Sequence, residues 1–333
     1  NHVENLRTTW NDVTTELLKD PDFGDQLKKD IDGIGSLLKD AALLADNDAR
    51  IKFIFNSIRS GMRCDDHEAL FTHEGVNNVW QKKTGNIADI NLLLVNILNK
   101  AGIKAFPILV SSRDNGMINS TYPSLRQFNK VMVYVPLDKN DSYILDASDK
   151  FSYYKIPPAS IVNTRAFIIE SDRGTGKVFD IIDEKHNYQV MAALKAVIDD
   201  KGTMTGECAV NSMDYARREC MESYTEDPAA FKQAHFIKPY PSVTIQEISI
   251  KNSEYDSLPF AQKINFTTTL NNSGEYSYFT TNLFNGFEKN PFVEDLRYTD
   301  IDFGYRHDHT FFENFTIPEG YKFENLPGNN IME

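Results

Sequence analysis

Few side chains in this chain are suited to nucleophilic, acid–base or metal chemistry, and they lie in separate stretches. Cys64 lies close to His67 and His73. A thiol and an imidazole make a thiolate nucleophile when they meet in space, which proximity in sequence does not decide. The plainer reading is a half-buried cysteine in a loop with surface histidines. His307-Asp308-His309 puts two imidazoles on one face of a strand, half of a zinc-type ligand set with no third ligand nearby. Polar outward positions of a surface strand explain them more simply. Glu184, Lys185 and His186 read as a solvated linker. The three cysteines, Cys64, Cys208 and Cys220, are too few for a disulfide framework, and whether Cys208 and Cys220 meet is left to the fold.

One further pair comes from a hairpin. Val131, Val133 and Val135 alternate with Met132 and Tyr134, a polar turn from Asp138 to Asp141 follows, and Ser142-Tyr143-Ile144-Leu145-Asp146 returns. Folding about Asp138 sets Lys130 opposite Asp146. An amine charged near neutral pH is a poor general base. A cross-strand ion contact is therefore expected, worth about 0 to 1 kcal/mol if exposed.

These residues hang on the stretch from Thr84 to Ser111. Thr84-Gly85-Asn86 offers turn and cap chemistry, and Asp89 falls near the positive end of a helix dipole. Leu92, Leu93, Leu94, Val95, Ile97 and Leu98 give that helix a wide apolar face, with Asn91, Asn96 and Asn99 interleaved. Gly102 ends it, and 103–110 reads as a strand in which Pro107 predicts an edge position or a bulge. Before this core come helices. Trp10, Val13, Leu17 and Leu18 mark one. Leu27, Ile31, Ile34, Leu37 and Leu38 mark a second, weakened by Gly33 and Gly35. Ile51, Ile54, Phe55 and Ile58 mark a third, started by Asp46-Asn47-Asp48. The loop from Ser112 to Arg126 is long enough to border a site.

Gly85-Asn86-Ile87-Ala88-Asp89, the Leu-rich helix ending in Ala101-Gly102-Ile103 and the strand after it resemble the core of the transglutaminase-like superfamily, over residues 40 to 160. That superfamily has a papain-like fold and holds protein cross-linkers, peptidases and amidases. The resemblance implies a nucleophilic cysteine at the position of Ile87. It implies a histidine at Lys130, within Phe128-Asn129-Lys130-Val131, and an aspartate at Asp146, within Leu145-Asp146-Ala147-Ser148. Only Asp146 matches. A degenerate triad of Ile87, Lys130 and Asp146 implies a pseudoenzyme, with no catalytic residue, cofactor or metal. The competing expectation is an active hydrolase or transferase using Cys64 or Thr84 with Lys130.

After Pro157-Pro158 and Gly174-Thr175-Gly176 the chain changes character. Tyr188 to Ile198, a turn at Asp199 to Gly202, and Thr203 to Asn211 read as a hairpin; Asp214 to Tyr224 reads as a helix, with another starting at Asp227. Val243 to Ile250 and Phe260 to Leu270 alternate as half-buried strands do. The tail is rich in aromatics, among them Tyr276, Phe287, Phe292 and Tyr298. This part resembles, more weakly, the β-domain that follows such cores in large multi-domain bacterial proteins. The expected architecture is α+β: a transglutaminase-like, papain-like core over 1–170 with preceding helices, then a mostly β, sandwich-like domain over 180–333 with a helical insertion. Asn1-His2-Val3-Glu4 and the end at Glu333 read as the cut edges of a piece of a longer protein.

Of the 333 residues, 35 are Lys or Arg and 48 Asp or Glu, a net charge of −13. That argues against nucleic acid or an anionic membrane as partner. No apolar run approaches the ~18 residues of a membrane span. The resemblance implies a binding or scaffolding role toward peptide, protein or polysaccharide, outside the bacterial cytoplasm.

Overall fold

The computed structural model describes residues 9–65, 68–137, 141–254, 257–284, 286, 296, 301–324 and 328. Asn1 to Glu4, His67, Asp138, Phe287, Phe292, Tyr298 and Glu333, invoked above, lie outside them. The chain is α+β, with helices first and a mostly β C-terminal region, and it divides into two units. One takes in Asn1–His186 and Asp302–Tyr305, the other Asn187–Ile301 and Arg306–Glu333.

The first unit opens with α1 (Trp10–Lys19), α2 (Gly35–Ala42) and α3 (Asn47–Gly61), followed by β1 (Arg63–Cys64), α4 (Val76–Lys82), β2 (Thr84–Gly85) and α5 (Ile87–Lys100). The helix expected from Leu27 to Leu38 forms only in its second half. A 3-10 turn, Asp25–Leu27, and irregular chain precede α2, because Gly33 adopts φ +82°, which an α-helix cannot contain. Strands β3 (Phe106–Val110), β4 (Lys130–Pro136), β5 (Ser142–Leu145), β6 (Thr164–Glu170) and β7 (Thr175–Ile181) form one antiparallel sheet in the order β5-β4-β3-β6-β7. β3 is therefore central, not an edge. Pro107 is tolerated there because pairing with β6 begins only at Ile108.

α5 is buried from Ile87 to Leu98 and packs on one face of this sheet. Leu92, Leu93, Leu109, Val131, Val133, Leu145 and Phe167 share one apolar cluster, each removed from water and each worth about 1.5–3 kcal/mol. The period of two sends Ile108, Met132, Ile144 and Ile168 to the opposite face, where they form a second cluster. α3 is tied to the hairpin by Asp48, which accepts hydrogen bonds from the Tyr143 hydroxyl at 2.7 Å and the Tyr154 hydroxyl at 3.0 Å.

The second unit is built on β8 (Asn187–Ile198), β9 (Thr203–Met213), α6 (Asp214–Glu226), α7 (Pro228–Lys232), β10 (Val243–Lys251), β11 (Phe260–Thr269), the short hairpin β12 (Asn271–Ser273) and β13 (Tyr276–Tyr278), and β14 (Arg306–Thr316). Its main sheet runs β10-β11-β9-β8-β14, antiparallel except that β14 joins β8 in parallel. Phe231 and Phe236 pack in one cluster with Leu194, Cys208, Ile264 and Phe266, so helical residues cover one face of that sheet. Among the described residues no helix is long and apolar enough to cross a membrane.

Gly85 is a position where only hydrogen fits. A Cβ there would lie 2.7 Å from Val79 Cγ2 and 2.8 Å from Asp89 Cβ. Gly85→Ala is expected to destabilise the first unit by about 1–3 kcal/mol. Both tryptophans, Trp10 and Trp80, belong to that unit, so urea unfolding followed by tryptophan fluorescence measures it. An unchanged midpoint would show that the helix start yields without cost.

Candidate functional site

The site forms where α5 begins. Asn86 caps the helix: its Oδ1 accepts from Asp89 N at 2.7 Å, and the Asp89 carboxylate accepts from Asn86 N at 3.0 Å, a closed capping box. The same carboxylate accepts from the N–H groups of Glu74 at 3.2 Å and Gly75 at 2.9 Å. Asn86 Nδ2 donates to the Phe71 carbonyl at 3.1 Å. Residues 71–75 are thereby fixed to the start of the helix. Ile87, the first helical residue, is 8% exposed and stands outside the apolar cluster that takes in Ala88 and Ile90. A helix N-terminus favours an anion, and a hydrocarbon makes no use of that.

One turn along the same side of α5 is Asn91, fully buried. Its Nδ2 donates to the Val131 carbonyl at 2.9 Å and to Asp146 Oδ1 at 3.0 Å, and its Oδ1 accepts from Ala147 N at 2.9 Å. This one amide thus joins α5 to β4, at the residue after Lys130, and to Asp146 after β5. Asp146 Oδ1 also accepts from the backbone N–H of Ser148 at 3.0 Å and from its hydroxyl. Burial pushes the Asp146 carboxyl above its usual range. Ser148 and Asn91 pull it back in part, and the charge of Asp149 adds to the rise.

Lys130 does not answer Asp146. The hairpin pairs Val133 with Leu145, which places its centre one residue later than expected, and β5 ends at Leu145. The Lys130 amine lies 3.1 Å from Glu68 Oε1. Glu68 Oε2 accepts from Asn129 Nδ2 at 3.0 Å, and that amide also bonds the Ser112 hydroxyl at 2.7 Å and the Ser112 N–H at 3.0 Å. Asp114, held below the usual carboxylate range mainly by the Ser112 hydroxyl, also feels the charge of Lys130. The loop after β3 thus borders the site through Ser112 and Asp114.

Thr84 and Cys64 also lie near the helix start. β1 runs parallel to β2, with Cys64 the register partner of Gly85 and Asp65 N donating to the Gly85 carbonyl at 3.1 Å. Cys64 is half-buried. No disulfide joins Cys208 to Cys220: Cys208 is buried, with its thiol pushed up to about 12 by desolvation, and Cys220 donates to the Ser212 hydroxyl at 3.5 Å. His307 and His309 stack at 5.8 Å on one face of β14, beside Tyr188. Among the described residues no group of three or more His, Cys, Asp or Glu is placed to hold a metal ion.

No protein-family profile matches the chain, and no curated protein does. Among solved structures, a "putative protease" from Parabacteroides distasonis is similar at 11% identity and a TM-score of 0.43. The match covers 81% of this chain and 58% of that one, so the chain spans little more than half the length of that protein. A likeness this remote assigns neither family nor activity.

Two residues central to this arrangement escaped sequence reasoning. Asn91 carried a signal, a polar residue inside an apolar helix, which in a buried helix must find partners. Glu68 carried none.

The raised Asp146 carboxyl links stability to pH. Its ordinary value is 3.8. Below that the group is neutral whether folded or unfolded; as pH rises toward its folded value, ionisation favours the unfolded chain. Asp146→Asn is therefore expected to gain on the parent protein as pH rises from 4 to 7 in urea unfolding read by tryptophan fluorescence. A difference that shrinks over that range would mean that hydrogen bonding, not burial, dominates at Asp146.

Proposed function

We propose that this chain is a catalytically inactive, transglutaminase-like module that binds or scaffolds, with peptide, protein or polysaccharide as its ligand class. The observation that carries the reading is chemical. At the helix start, where the resemblance calls for a thiolate, Ile87 has no lone pair. Where it calls for an imidazole, Lys130 is an ammonium paired to Glu68 at 3.1 Å. Asp146, the matching member, is held by Asn91 and Ser148 rather than by a base. The orienting parts of a triad are kept and its reacting groups are replaced. The same resemblance places the module in a multi-domain bacterial protein outside the cytoplasm, and that setting belongs to the proposal.

A second reading, an active cysteine peptidase, amidase or transglutaminase-like hydrolase with non-standard residues, is favoured by one observation. Cys64 pairs in register with Gly85, two residues before Ile87. Against it, the partner of the Lys130 amine is the carboxylate of Glu68, not a hydroxyl or a thiol that it could activate.

A panel of fluorogenic peptides, amides and an amine-transfer assay separates the two. The expected result is no turnover above buffer by the parent protein, Cys64→Ser or Lys130→Met. Turnover by the parent that is lost in either variant overturns the non-catalytic reading.

A further inference from the structure

The face of the first unit's sheet turned away from α5 is hollowed at one end, and we propose that this hollow binds an acidic sugar, a uronate unit of a polysaccharide. The cavity measures about 250 Å³, room for one sugar ring rather than a long ligand. Its lining is aromatic at the base. Phe106 and Tyr134 are cross-strand partners on β3 and β4, and Tyr134 meets Phe179 of β7 edge-on at 5.5 Å. Such surfaces receive the C–H faces of a pyranose ring.

Three cations line the same hollow, Lys104, Arg173 and Lys177, against one acid, Glu170. In a chain of net charge −13 a local excess of positive charge is a departure from the whole. It is neutralised in part. Lys104 is paired with Asp172 at 2.8 Å, its amine 5.0 Å from the centre of the Phe106 ring. Arg173 comes no nearer than 4.0 Å to Glu170, whose carboxylate already accepts from the Thr175 hydroxyl at 3.0 Å. Lys177 makes no ion pair among the described residues. A carboxylate entering here meets charge-assisted donors without having to break a buried pair.

The strands beneath decide between a sugar and an extended peptide. Phe106 and Tyr134, at the base, lie on the interior strands β3 and β4, whereas Lys177 and Phe179 lie on β7, the edge of the sheet. A peptide adding to the free edge of β7 would run in the plane of the sheet, beside the hollow rather than across its face. Recognition has to come from side chains alone, through ring faces and charge, which suits a carboxylated ring.

The inference deepens the binding-module reading by naming a ligand class, yet it fails separately. The hollow is on the face opposite α5, and turnover in the assay above would leave uronate binding intact. Calorimetric titration of the whole chain with trigalacturonate, triglucuronate, neutral galactotriose and a hexaglutamate peptide tests it. The expected result is binding of at least one uronate trimer, about tenfold or more tighter than the neutral sugar and weakened by added salt. Arg173→Met with Lys177→Met is expected to lower that affinity about tenfold or more while the melting temperature holds. Tyr134→Ala is expected to lower it for the uronate without restoring the neutral sugar. Failure to bind either uronate, equal binding of neutral and acidic sugar, affinity that survives loss of the cations, or equal response to the acidic peptide overturns the proposal.

Discussion

A single buried carboxamide, that of Asn91, joins the three parts of the first unit that have to stay together. It emerges from a helix whose neighbours are hydrocarbon, and it meets the carbonyl of Val131, the carboxylate of Asp146 and the N–H of Ala147. Each of those groups would cost about 1–3 kcal/mol if left buried without a partner. The amide therefore fixes the depth of α5 on the sheet, the place where β4 begins and the turn that leaves β5. Apolar packing alone would tolerate sliding among these elements, because one aliphatic contact substitutes for another. A directional group does not.

The charged groups around this amide are handled in three different ways. Asp89 is buried and satisfied by backbone donors from two segments. Glu68 and Lys130 neutralise one another nearer the surface, where the pair contributes little to stability but holds Asn129 and Ser112 in place. Asp146 is buried and held by hydrogen bonds, with no ion pair among the described residues, and burial is the main reason its carboxyl rises. An aspartate in that condition is costly, and its hydrogen bonds to Asn91 and Ser148 offset part of that cost.

What could be read from the residues followed periodicity. The apolar run from Leu92 to Leu98, the alternating valines of β4 and the long strands β8 to β11 are strong patterns, and they became the elements expected of them. Where one residue outweighed a pattern, reading failed. Gly33 delayed to Gly35 a helix that the leucine spacing would have started at Leu27. Pro107 lay in the central strand because its missing N–H falls outside the ladder with β6. The hairpin register sits with its centre one residue later than expected, and Lys130 found Glu68, from a segment more than sixty positions away by number, in place of the nearer Asp146. Strand register and long-range ion pairing leave no periodic trace.

The parallel partnership of β14 with β8 has a consequence for how the second unit is made. Arg306 aligns with Asn187 and Thr316 with Val197, although the chain between them also contributes every other strand of that sheet. Translation delivers β8 first and β14 last. Until the last strand leaves the ribosome, β8 has β9 on one side and bare peptide groups on the other, a template for stray strands. Closing so long a loop is slow as well as late. Completion of this sheet thus waits on the synthesis of its last strand.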